Sequence, residues 1–586
     1  MTASITRDGR ARQARAARAL APALVAAAVG CTVAALPAPK AQPPKKTLAP
    51  EAVGARYAVA TENGEASRIA LEVLRSGGDA VDAAAAAALA LGVATPTACG
   101  IGGGGFAVVW RAKTKEAFVV DFREVGPSDI DASALDRRPL PPSERGHTVG
   151  VPGEIAGLSL LVTKFGKKAW RDDVLPAVKL AREGFLMTPH VARGTQTAET
   201  ELRALAPALG VRLLAAAGPL PAGTRVLRAD LAKTLQTIAD HGPRAFYVGS
   251  IARAMVEAAK SVGGTMTMED LAAYQPKLRQ PIRVALGARE VITMPPPSAG
   301  GVMLGQTVQA HKMLALAWGG AGGGAKGKGL DMAPWGSAET THLMAELMRG
   351  SLDDRARFIG DPDATPVDVG ALLSEARMIA RLKKIDPWSS KPPVELRVDE
   401  HGTSHLSIVD AEGNAVALTT TVNSGFGAKL VAGDTGIVLN DQLDDFGKTI
   451  DAIGGHPNVP RAKARPTSSM TPTIVIENGL PVMVAGGSGG MRIASSVTLV
   501  SIAHLVFGLS PGDAVGWPRV HPMGGKLSVE PTLSPTVVAE LIKRGETVTS
   551  AEAVNAVQLV AVQRTGGTVR LVAAADPRKG GVALAE

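Results

Sequence analysis

The sequence predicts a mixed α/β protein, and three stretches carry that prediction. Residues 80–91 are dominated by alanine, which favours a helix that packs closely against its neighbours. Polar and apolar residues alternate from His405 to Ile408, which is the period of a half-buried strand. After a turn at residues 411–414, the run at 415–423 predicts a second strand, so the two strands together predict a β-hairpin.

The elements before the hairpin follow from periodicity and from turn residues. Residues 57–60 predict a short strand, and residues 65–75 predict a helix that ends at the glycine pair 77–78. The other predictions, in chain order, are strands at 106–110 and 116–121, a helical region at 155–274 with an amphipathic stretch at 231–239, a loop at 295–301, a glycine-rich surface insertion at 319–329, a helix at 342–357 that stops at 360–362, and a linker at 391–400.

A glycine-rich stretch at residues 100–105 fits the G-x-G-x-x-G pattern of dinucleotide-binding loops. Such a loop follows a strand and opens a helix, whereas this stretch follows a helix and opens a strand. We therefore reject nucleotide binding and expect a tight turn, free of side chains, beneath an active site.

The net charge of +9 is concentrated at the N-terminus. Residues 1–46 contain eight basic residues and one acidic residue, so the rest of the chain carries only about +2. That remainder shows no basic patch interleaved with aromatic residues, which excludes nucleic acid as an expected partner.

Residues 1–38 have the order of an export leader, with arginines before an uncharged, alanine-rich stretch. Three interpretations stay open: a cleaved signal peptide, a lipoprotein modified at Cys31, and a retained anchor, which Pro22 and Pro37 disfavour. We expect an exported protein, periplasmic or extracellular, that contacts a membrane only if Cys31 is lipidated. Residues 39–54 predict a linker.

Cysteine and histidine usage limits the chemistry further. Cys31 and Cys99 are the only cysteines, so removal of the leader would leave Cys99 without a disulfide partner. We expect Cys99 to be a buried, unreactive thiol. The histidines form neither an HExxH motif nor a Cys/His cluster, so the sequence predicts no metal site and no cofactor.

Four blocks in the second half of the chain carry the functional signal. They are residues 402–410 (GTSHLSIVD), 440–446 (NDQLDDF), 465–473 (RPTSSMTPT) and 486–493 (GGSGGMRI). In this order and at these intervals they resemble the gamma-glutamyltranspeptidase family, whose members are N-terminal-nucleophile (Ntn) hydrolases. The resemblance covers nearly the whole chain after residue 50.

The resemblance implies a four-layer αββα Ntn-hydrolase fold built from two chains. The precursor would cut itself between Gly402 and Thr403, giving a large subunit of residues 55–402 and a small subunit of residues 403–586. The two subunits would remain parts of one fold, and Thr403 would be both the nucleophile and a new chain terminus.

Thr403 needs a base, because a threonine hydroxyl is a poor nucleophile. Its own α-amine can serve once it is terminal, since the reference pKa of an α-amine is ~7.7–8.0. His405, two residues along the same strand, is the weaker candidate. By resemblance, Thr421 orients the amine, and Gly489 and Gly490 supply the backbone N–H groups of an oxyanion hole.

The resemblance also implies how a γ-glutamyl group is recognised. The residues are Arg123, Ser468 and Ser469 for its α-carboxylate, and Asp445, Asn423 and Gln442 for its α-ammonium. A cation for the carboxylate and an anion for the ammonium are chemically matched. Without the resemblance, Arg123 is equally part of a surface ion pair, Ser468 and Ser469 are equally part of a polar loop, and Asp445 is equally part of an acidic turn.

One departure from the family concerns a lid that often lies between the positions of Phe446 and Arg465. Here that segment is short, contains Gly454 and Gly455, and has no aromatic residue. The sequence therefore leaves open whether a lid closes the site, and with it the balance between water and amino-acid acceptors.

We expect an enzyme that transfers a γ-glutamyl group from glutathione, or a similar amide, to water or an amino acid through an ester of Thr403. Two alternatives remain. One is a glutaryl or cephalosporin acylase of the same fold, whose substrates lack the α-amine that Asp445 would bind. The other is an uncleaved, inactive relative that only binds γ-glutamyl compounds.

Overall fold

Two seven-stranded sheets form the centre of the protein. The structure, a computed structural model, describes residues 48–318, 329–390, 401–449, 455–523, 525–552 and 555–586. The predicted leader with Cys31, most of the glycine-rich insertion, the linker at 391–400 and residues 450–454 of the segment after Phe446 lie outside this part of the chain.

The strands, in chain order, are β1 (Glu51–Gly54), β2 (Ala58–Thr61), β3 (Gly104–Arg111), β4 (Glu116–Asp121), β5 (Phe185–Leu186), β6 (Leu214–Ala215), β7 (Gly218–Pro219), β8 (Arg225–Val226), β9 (Lys277–Arg279), β10 (Ile282–Leu286), β11 (Arg289–Thr293), β12 (His401–Val409), β13 (Ala415–Ser424), β14 (Thr473–Glu477), β15 (Leu480–Ser488), β16 (Val520–Met523), β17 (Lys526–Val529), β18 (Val548–Ser550), β19 (Ala556–Thr565), β20 (Thr568–Ala575) and β21 (Val582–Ala585).

The helices are α1 (Gly64–Arg75), α2 (Ala80–Ala94), α3 (Ala132–Asp136), α4 (Glu154–Phe165), α5 (Trp170–Glu183), α6 (Pro189–Thr197), α7 (Glu199–Leu205), α8 (Pro207–Leu213), α9 (Ala229–His241), α10 (Arg244–Tyr247), α11 (Gly249–Lys260), α12 (Met268–Ala273), α13 (Gly300–Trp318), α14 (Ala338–Phe358), α15 (Val369–Leu372), α16 (Glu375–Leu382), α17 (Arg492–Leu505), α18 (Pro511–Gly516) and α19 (Pro535–Lys543).

The layers follow from the order of the strands and from what covers each face. The first sheet has the order β1-β20-β19-β15-β14-β11-β10, and the second has the order β21-β2-β12-β13-β3-β4-β9. Strands β12 and β13 pack on β15 of the first sheet, α2 and α4 cover the second sheet, and α13 and α17 cover the first. The predicted four-layer αββα fold is therefore confirmed.

Helix α2 is the alanine-rich segment, and every residue in it is buried. Asp79 caps the helix, because its carboxylate accepts the Val81 N–H at 2.9 Å while the Asp82 carboxylate accepts the Asp79 N–H at 2.8 Å. Small side chains allow α1 and α5 to pack against α2. The prediction of a closely packed alanine helix is confirmed.

The hairpin of β12 and β13 lies in the middle of the second sheet, as the alternation predicted. Leu406 and Ile408 face the core on the helix side of this sheet. Ser407 faces the first sheet and donates a hydrogen bond to Gln558 O at 3.1 Å. The strand is therefore buried on both faces, and the expectation of a half-buried strand was wrong because the first sheet covers the polar face.

The folded body begins earlier than we predicted. Residues Glu51–Gly54, which we assigned to the linker, form strand β1 and pair with β20. Glu51 to Gly54 satisfy their backbone groups through this edge pairing, which the short, Pro-flanked sequence did not reveal. Among the described residues, no helix is both long enough and apolar enough to cross a membrane.

The packing of α2 generates a stability prediction. Ala85 is fully buried, so Ala85→Leu should overpack the core and destabilise the protein by about 1–3 kcal/mol. A lower melting temperature of the purified protein measures this loss. Ala272→Leu, the same change at an exposed position of α12, is the control and should leave the melting temperature nearly unchanged. An equal fall in melting temperature in the two variants would contradict the close packing of α2.

Candidate active site

The hairpin brings two threonine hydroxyls to one backbone carbonyl. The register of β12 against β13 shifts between Gly402 and Ser404, because Thr421 and Val422 on β13 form a bulge opposite Thr403. The Thr403 Oγ1 lies 2.6 Å from Gly402 O, and Thr421 Oγ1 donates to the same oxygen at 2.7 Å. The two hydroxyl oxygens are 3.2 Å apart. The peptide bond before Thr403 therefore has two hydroxyl groups beside it, both bonded to its carbonyl oxygen.

Gly402 has no room for a side chain. A Cβ at this position would lie 2.3 Å from Thr97 O. The loop that carries Thr97 is fixed against the hairpin, because Ala98 O accepts the Val422 N–H at 3.1 Å. The adjoining glycine turn also lies under the site, since a Cβ at Gly103 would meet Thr421 O at 2.0 Å. The expectation of a side-chain-free turn here is confirmed.

A small cavity opens beside Thr403. The predicted site residues that line it are Arg123, Thr403, Thr421, Asn423, Asp445, Ser468, Ser469 and Gly490. Gln442 and Gly489 do not line the cavity themselves, but each adjoins a residue that does. The structure thus gathers residues from all four blocks of sequence, from β13 and from the segment after β4.

Arg123 and Asp445 form a buried ion pair in this cavity. The Arg123 Nη2 lies 2.6 Å from Asp445 Oδ2, and the Arg123 side chain is only 2% exposed. Its guanidinium also donates to the carbonyls of Pro466 and Thr467, each at 3.1 Å. Gln442 Nε2 donates to the same carboxylate oxygen of Asp445 at 2.8 Å. The cavity therefore contains a matched cation and anion of its own.

Asn423 connects the hairpin to the acidic block. Its backbone N–H donates to Thr421 Oγ1 at 2.8 Å, and its Nδ2 donates to Asp441 O at 3.0 Å. Its φ of 77° lies in the left-handed region, where asparagine is tolerated better than most residues. Asn423 thus fixes the hydroxyl of Thr421 as well as lining the cavity.

The two serines are held by the loop that we predicted at 295–301. Ala299 N donates to Ser468 O, and Ser468 N donates to Pro297 O, both at 2.9 Å. Ser468 Oγ accepts the Met470 N–H at 3.1 Å. The loop prediction is confirmed for residues 295–299, whereas Gly300 and Gly301 begin helix α13. The loop fixes the backbone of the serine block.

Gly489 and Gly490 form the turn between β15 and α17. Their φ values are 121° and 59°, and both lie in the region that favours glycine. The turn follows Ser488 at the end of β15, and Gly490 lies on the cavity wall. Gly490 therefore presents backbone without a side chain to the cavity that Thr403 also lines.

Asn458, which no sequence motif singled out, joins the block at 440–446 to the block at 465–473. Its Nδ2 donates to Asp445 O at 2.8 Å, and its Oδ1 accepts the Thr467 N–H at 2.9 Å. It belongs to the short segment in which we looked for a lid. The described part of that segment acts as a brace for Asp445 and Thr467.

Arg355 was also missed by sequence reasoning. It lies on α14 and lines the cavity with Arg123 and Asp445. Its Nε is buried and has no hydrogen-bond partner in the described part of the chain. Burial lowers the pKa of its guanidinium, Asp445 opposes that effect, and Arg123 adds to it. A single arginine in an amphipathic helix carries no signal that separates a cavity position from a solvated one.

His405, our weaker candidate base, is excluded by its surroundings. Its ring nitrogens lie 2.8 Å from Thr419 Oγ1 and 3.0 Å from Ser407 Oγ, and its ring packs against Gly486. Burial lowers the pKa of His405 to about 3, so the ring is neutral at physiological pH. It is a structural residue between the two sheets.

Other buried titratable groups surround the hairpin. Burial raises the pKa of the Cys99 thiol, which is free and buried as we expected. Burial also raises the pKa of Glu124 to about 8 and that of Glu154 to about 8. Glu154 Oε2 accepts the Thr420 hydroxyl at 2.8 Å, so it is in contact with the strand that carries Thr421.

Among the described residues, His342, Glu346 and Glu546 form a cluster with metal-ligand side chains, although the sequence predicted no metal site. Arg349 already bonds both carboxylates, with Nη1 2.5 Å from Glu346 Oε1 and 2.9 Å from Glu546 Oε1. The cluster is therefore an ion-pair network in which a guanidinium supplies the positive charge.

Comparisons with known proteins agree on one family. A family model described as gamma-glutamyltranspeptidase matches residues 66–586. The glutathione hydrolase proenzyme of Escherichia coli strain K12 is 34% identical over 541 residues, covering 89% of this chain and 90% of that one. The corresponding proenzyme of Bacillus subtilis strain 168 is 33% identical, covering 91% and 92%.

A solved structure gives the same fold. The crystal structure of cephalosporin acylase from Bacillus halodurans superposes with a TM-score of 0.80 at 25% identity, covering 94% of this chain and 99% of that one. The sequence and structural comparisons therefore lead to the same group of enzymes.

The environment of His405 generates a pH prediction. Between pH 6.5 and about 3, the unfolded chain binds a proton at His405 that the folded chain does not bind, so stability falls as pH falls through this window. His405→Gln keeps a donor and an acceptor but cannot titrate, and it should flatten the fall of the melting temperature on acidification. His241→Gln, at an exposed position, is the control. Identical slopes for His405→Gln and the unchanged protein would contradict this assignment.

Proposed function

Because the chain belongs to the gamma-glutamyltranspeptidase family, we propose that it is a self-processing glutathione hydrolase and gamma-glutamyltransferase. It cleaves γ-glutamyl amides through an ester of Thr403 and passes the γ-glutamyl group to water, an amino acid or a peptide. The observation that carries this proposal is the pair of hydroxyls, from Thr403 and Thr421, on the carbonyl of Gly402.

The same two hydroxyls support self-cleavage. The Thr403 Oγ attacks the carbonyl carbon of Gly402, the amide bond between the two residues breaks, and the hydroxyl proton passes to the Thr403 nitrogen. The hydrogen bond from Thr421 stabilises negative charge on the Gly402 oxygen during this attack. Water then hydrolyses the ester, which leaves a carboxylate on Gly402 and a free amine and hydroxyl on Thr403.

The free amine supplies the base for the mature reaction. It accepts the proton from Thr403 Oγ as that oxygen attacks the γ-carbonyl of the donor, and it returns the proton to the leaving amine. An α-amine is suited to this work near neutral pH, because its reference pKa is ~7.7–8.0. Water or an amino-acid amine then attacks the acyl ester in the same way and restores Thr403.

Recognition of the γ-glutamyl head follows from the ion pair of Arg123 and Asp445. A zwitterionic amino-acid head presents one carboxylate and one ammonium, so it can replace this internal pair charge for charge. Arg123 takes the carboxylate with help from the Ser468 and Ser469 hydroxyls. Asp445 takes the ammonium, supported by Asn423 and Gln442.

Gly489 and Gly490 are the proposed oxyanion hole. Their turn lies at the cavity wall, and a glycine backbone can approach a developing oxyanion without a side chain in between. One preorganised donor of this kind contributes about 10²–10³ in rate.

An acylase activity is the second candidate, because the Bacillus halodurans structure with the same fold is a cephalosporin acylase. Asp445 argues against it here. A glutaryl group has no ammonium, so its binding would leave the buried Asp445 carboxylate without a cation from the substrate.

We also propose that the protein is exported as a zymogen. The arginine-rich N-terminus followed by an uncharged alanine-rich stretch supports a signal peptide, with a periplasmic or extracellular location. The word proenzyme in the names of the relatives agrees with a precursor that yields a large subunit ending at Gly402 and a small subunit of residues 403–586.

Self-cleavage is the first test of this proposal. The purified protein should give two bands on a denaturing gel, and N-terminal sequencing of the smaller band should begin Thr-Ser-His-Leu-Ser. Thr403→Ala removes the attacking oxygen and should leave one uncut chain. Thr403→Ser is the matched control, because it keeps a hydroxyl and should still be cut. Cleavage of Thr403→Ala at the same bond would contradict the role of Thr403.

Donor choice is the second test. Asp445→Asn should raise KM for γ-glutamyl-p-nitroanilide by about 10- to 100-fold, because the free energy of a hydrogen bond to a charged group typically corresponds to a change of this size. It should not weaken the turnover of glutaryl-p-nitroanilide, which has no ammonium. Asp444→Asn is the control, because the same change is made one residue away and outside the cavity lining. Equal losses on both substrates with Asp445→Asn would favour a structural role for Asp445.

A further inference from the structure

Lys579, near the C-terminus, is a buried lysine that contacts the nucleophile. It is only 4% exposed. Its Nζ donates to Thr403 O at 3.2 Å and to Ser488 Oγ at 2.7 Å, and it lies 3.7 Å from Glu62 Oε2. A buried ammonium is costly unless it is paired and hydrogen-bonded, and here each of its contacts is to a group close to the active site.

Two of these contacts connect the two sheets. Thr403 lies on β12 of the second sheet, whereas Ser488 ends β15 of the first sheet. Ser488 directly precedes Gly489 and Gly490. One ammonium therefore fixes the backbone of the nucleophile relative to the turn that we assign to the oxyanion hole.

Glu62 completes the arrangement from the other side. Its Oε1 accepts the His405 N–H at 3.1 Å, while its Oε2 faces Lys579. Lys579 and Glu62 thus form one ion pair, in which Lys579 bonds Thr403 O and Glu62 bonds His405 N. Burial raises the pKa of Glu62 to about 7, and Lys579 opposes that rise.

The need for such a clamp increases when the chain is cut. In the precursor, Thr403 is tethered by peptide bonds on both sides. After cleavage its amine side is free, and the contacts of its carbonyl group and of the following residues must hold it. Lys579 is the side chain that bonds this carbonyl oxygen.

We propose that Lys579 is a positioning residue that holds the terminal Thr403 in register with the Gly489–Gly490 turn, in both self-cleavage and turnover. This inference rests on the proposed function. It predicts that loss of the ammonium slows the chemical steps and leaves donor binding unchanged, since Lys579 does not line the cavity with Arg123 and Asp445.

The experiment compares Lys579→Met, Lys579→Arg and the double variant Glu62→Gln/Lys579→Met, with Lys526→Met at an exposed position of β17 as control. We measure the rate of self-cleavage, kcat and KM for γ-glutamyl-p-nitroanilide, and the melting temperature. Lys579→Met should lower kcat by about 100-fold, the effect of a misplacement near 1 Å, with KM changed less than about twofold. Lys579→Arg keeps a cationic donor, so its kcat should lie between those of Lys579→Met and the unchanged enzyme.

The double variant separates positioning from stability. It removes both buried charges, so it should restore the melting temperature while kcat stays low. Recovery of kcat together with stability would overturn the inference, as would a change in KM in place of kcat. If Lys579→Met is cut too slowly to give mature enzyme, we compare the rates of self-cleavage in place of kcat. We expect Lys579→Arg to be faster than Lys579→Met and the double variant. Absence of turnover by the unchanged enzyme would instead overturn the proposed function.

Discussion

The pairing of β12 with β13 is the constraint on which the active site depends. Its register places Thr421 and Thr403 on the same carbonyl, and the bulge of Thr421 and Val422 on β13 interrupts the regular ladder opposite Thr403. The hairpin can hold this geometry because it is buried on both faces, between α2 and the first sheet. A strand with one solvated face would leave the bulge free to shift by one residue, which would move the nucleophile to the opposite face.

The second constraint on the site is that the charged groups in the cavity must be paired with opposite charges. Arg123 is buried and Asp445 is partly exposed, and each compensates the charge of the other. Arg355 adds a second guanidinium on the same wall. A ligand that brings a carboxylate and an ammonium can exchange with the internal pair, whereas a ligand that brings only one of them leaves a buried charge behind. For the function proposed above, we expect the charge pattern of a donor to matter more than its size.

Local patterns predicted much of the fold, and they failed where long-range contacts decide the outcome. The alternation at 405–408 and the alanines at 80–91 specified a hairpin and a close-packed helix. The alternation could not show that a second sheet covers the polar face of Ser407. The recognition residues were found by resemblance, since Arg123 and Asp445 are 322 positions apart in the chain. Arg355, Asn458 and Lys579 were missed because each is a single polar residue whose partners are determined only by the tertiary fold.

The central claim is that Thr403 becomes the acyl-bearing nucleophile after self-cleavage. Its most direct test is intact-mass spectrometry and peptide mapping of the purified enzyme after reaction with a glutamine analogue that carries an electrophilic carbon at the γ position. We predict one added mass per molecule, located on the fragment of residues 403–586 and mapped to Thr403, with labelling suppressed by excess glutathione. A label on another residue, in an enzyme that loses its activity on labelling, would contradict the claim.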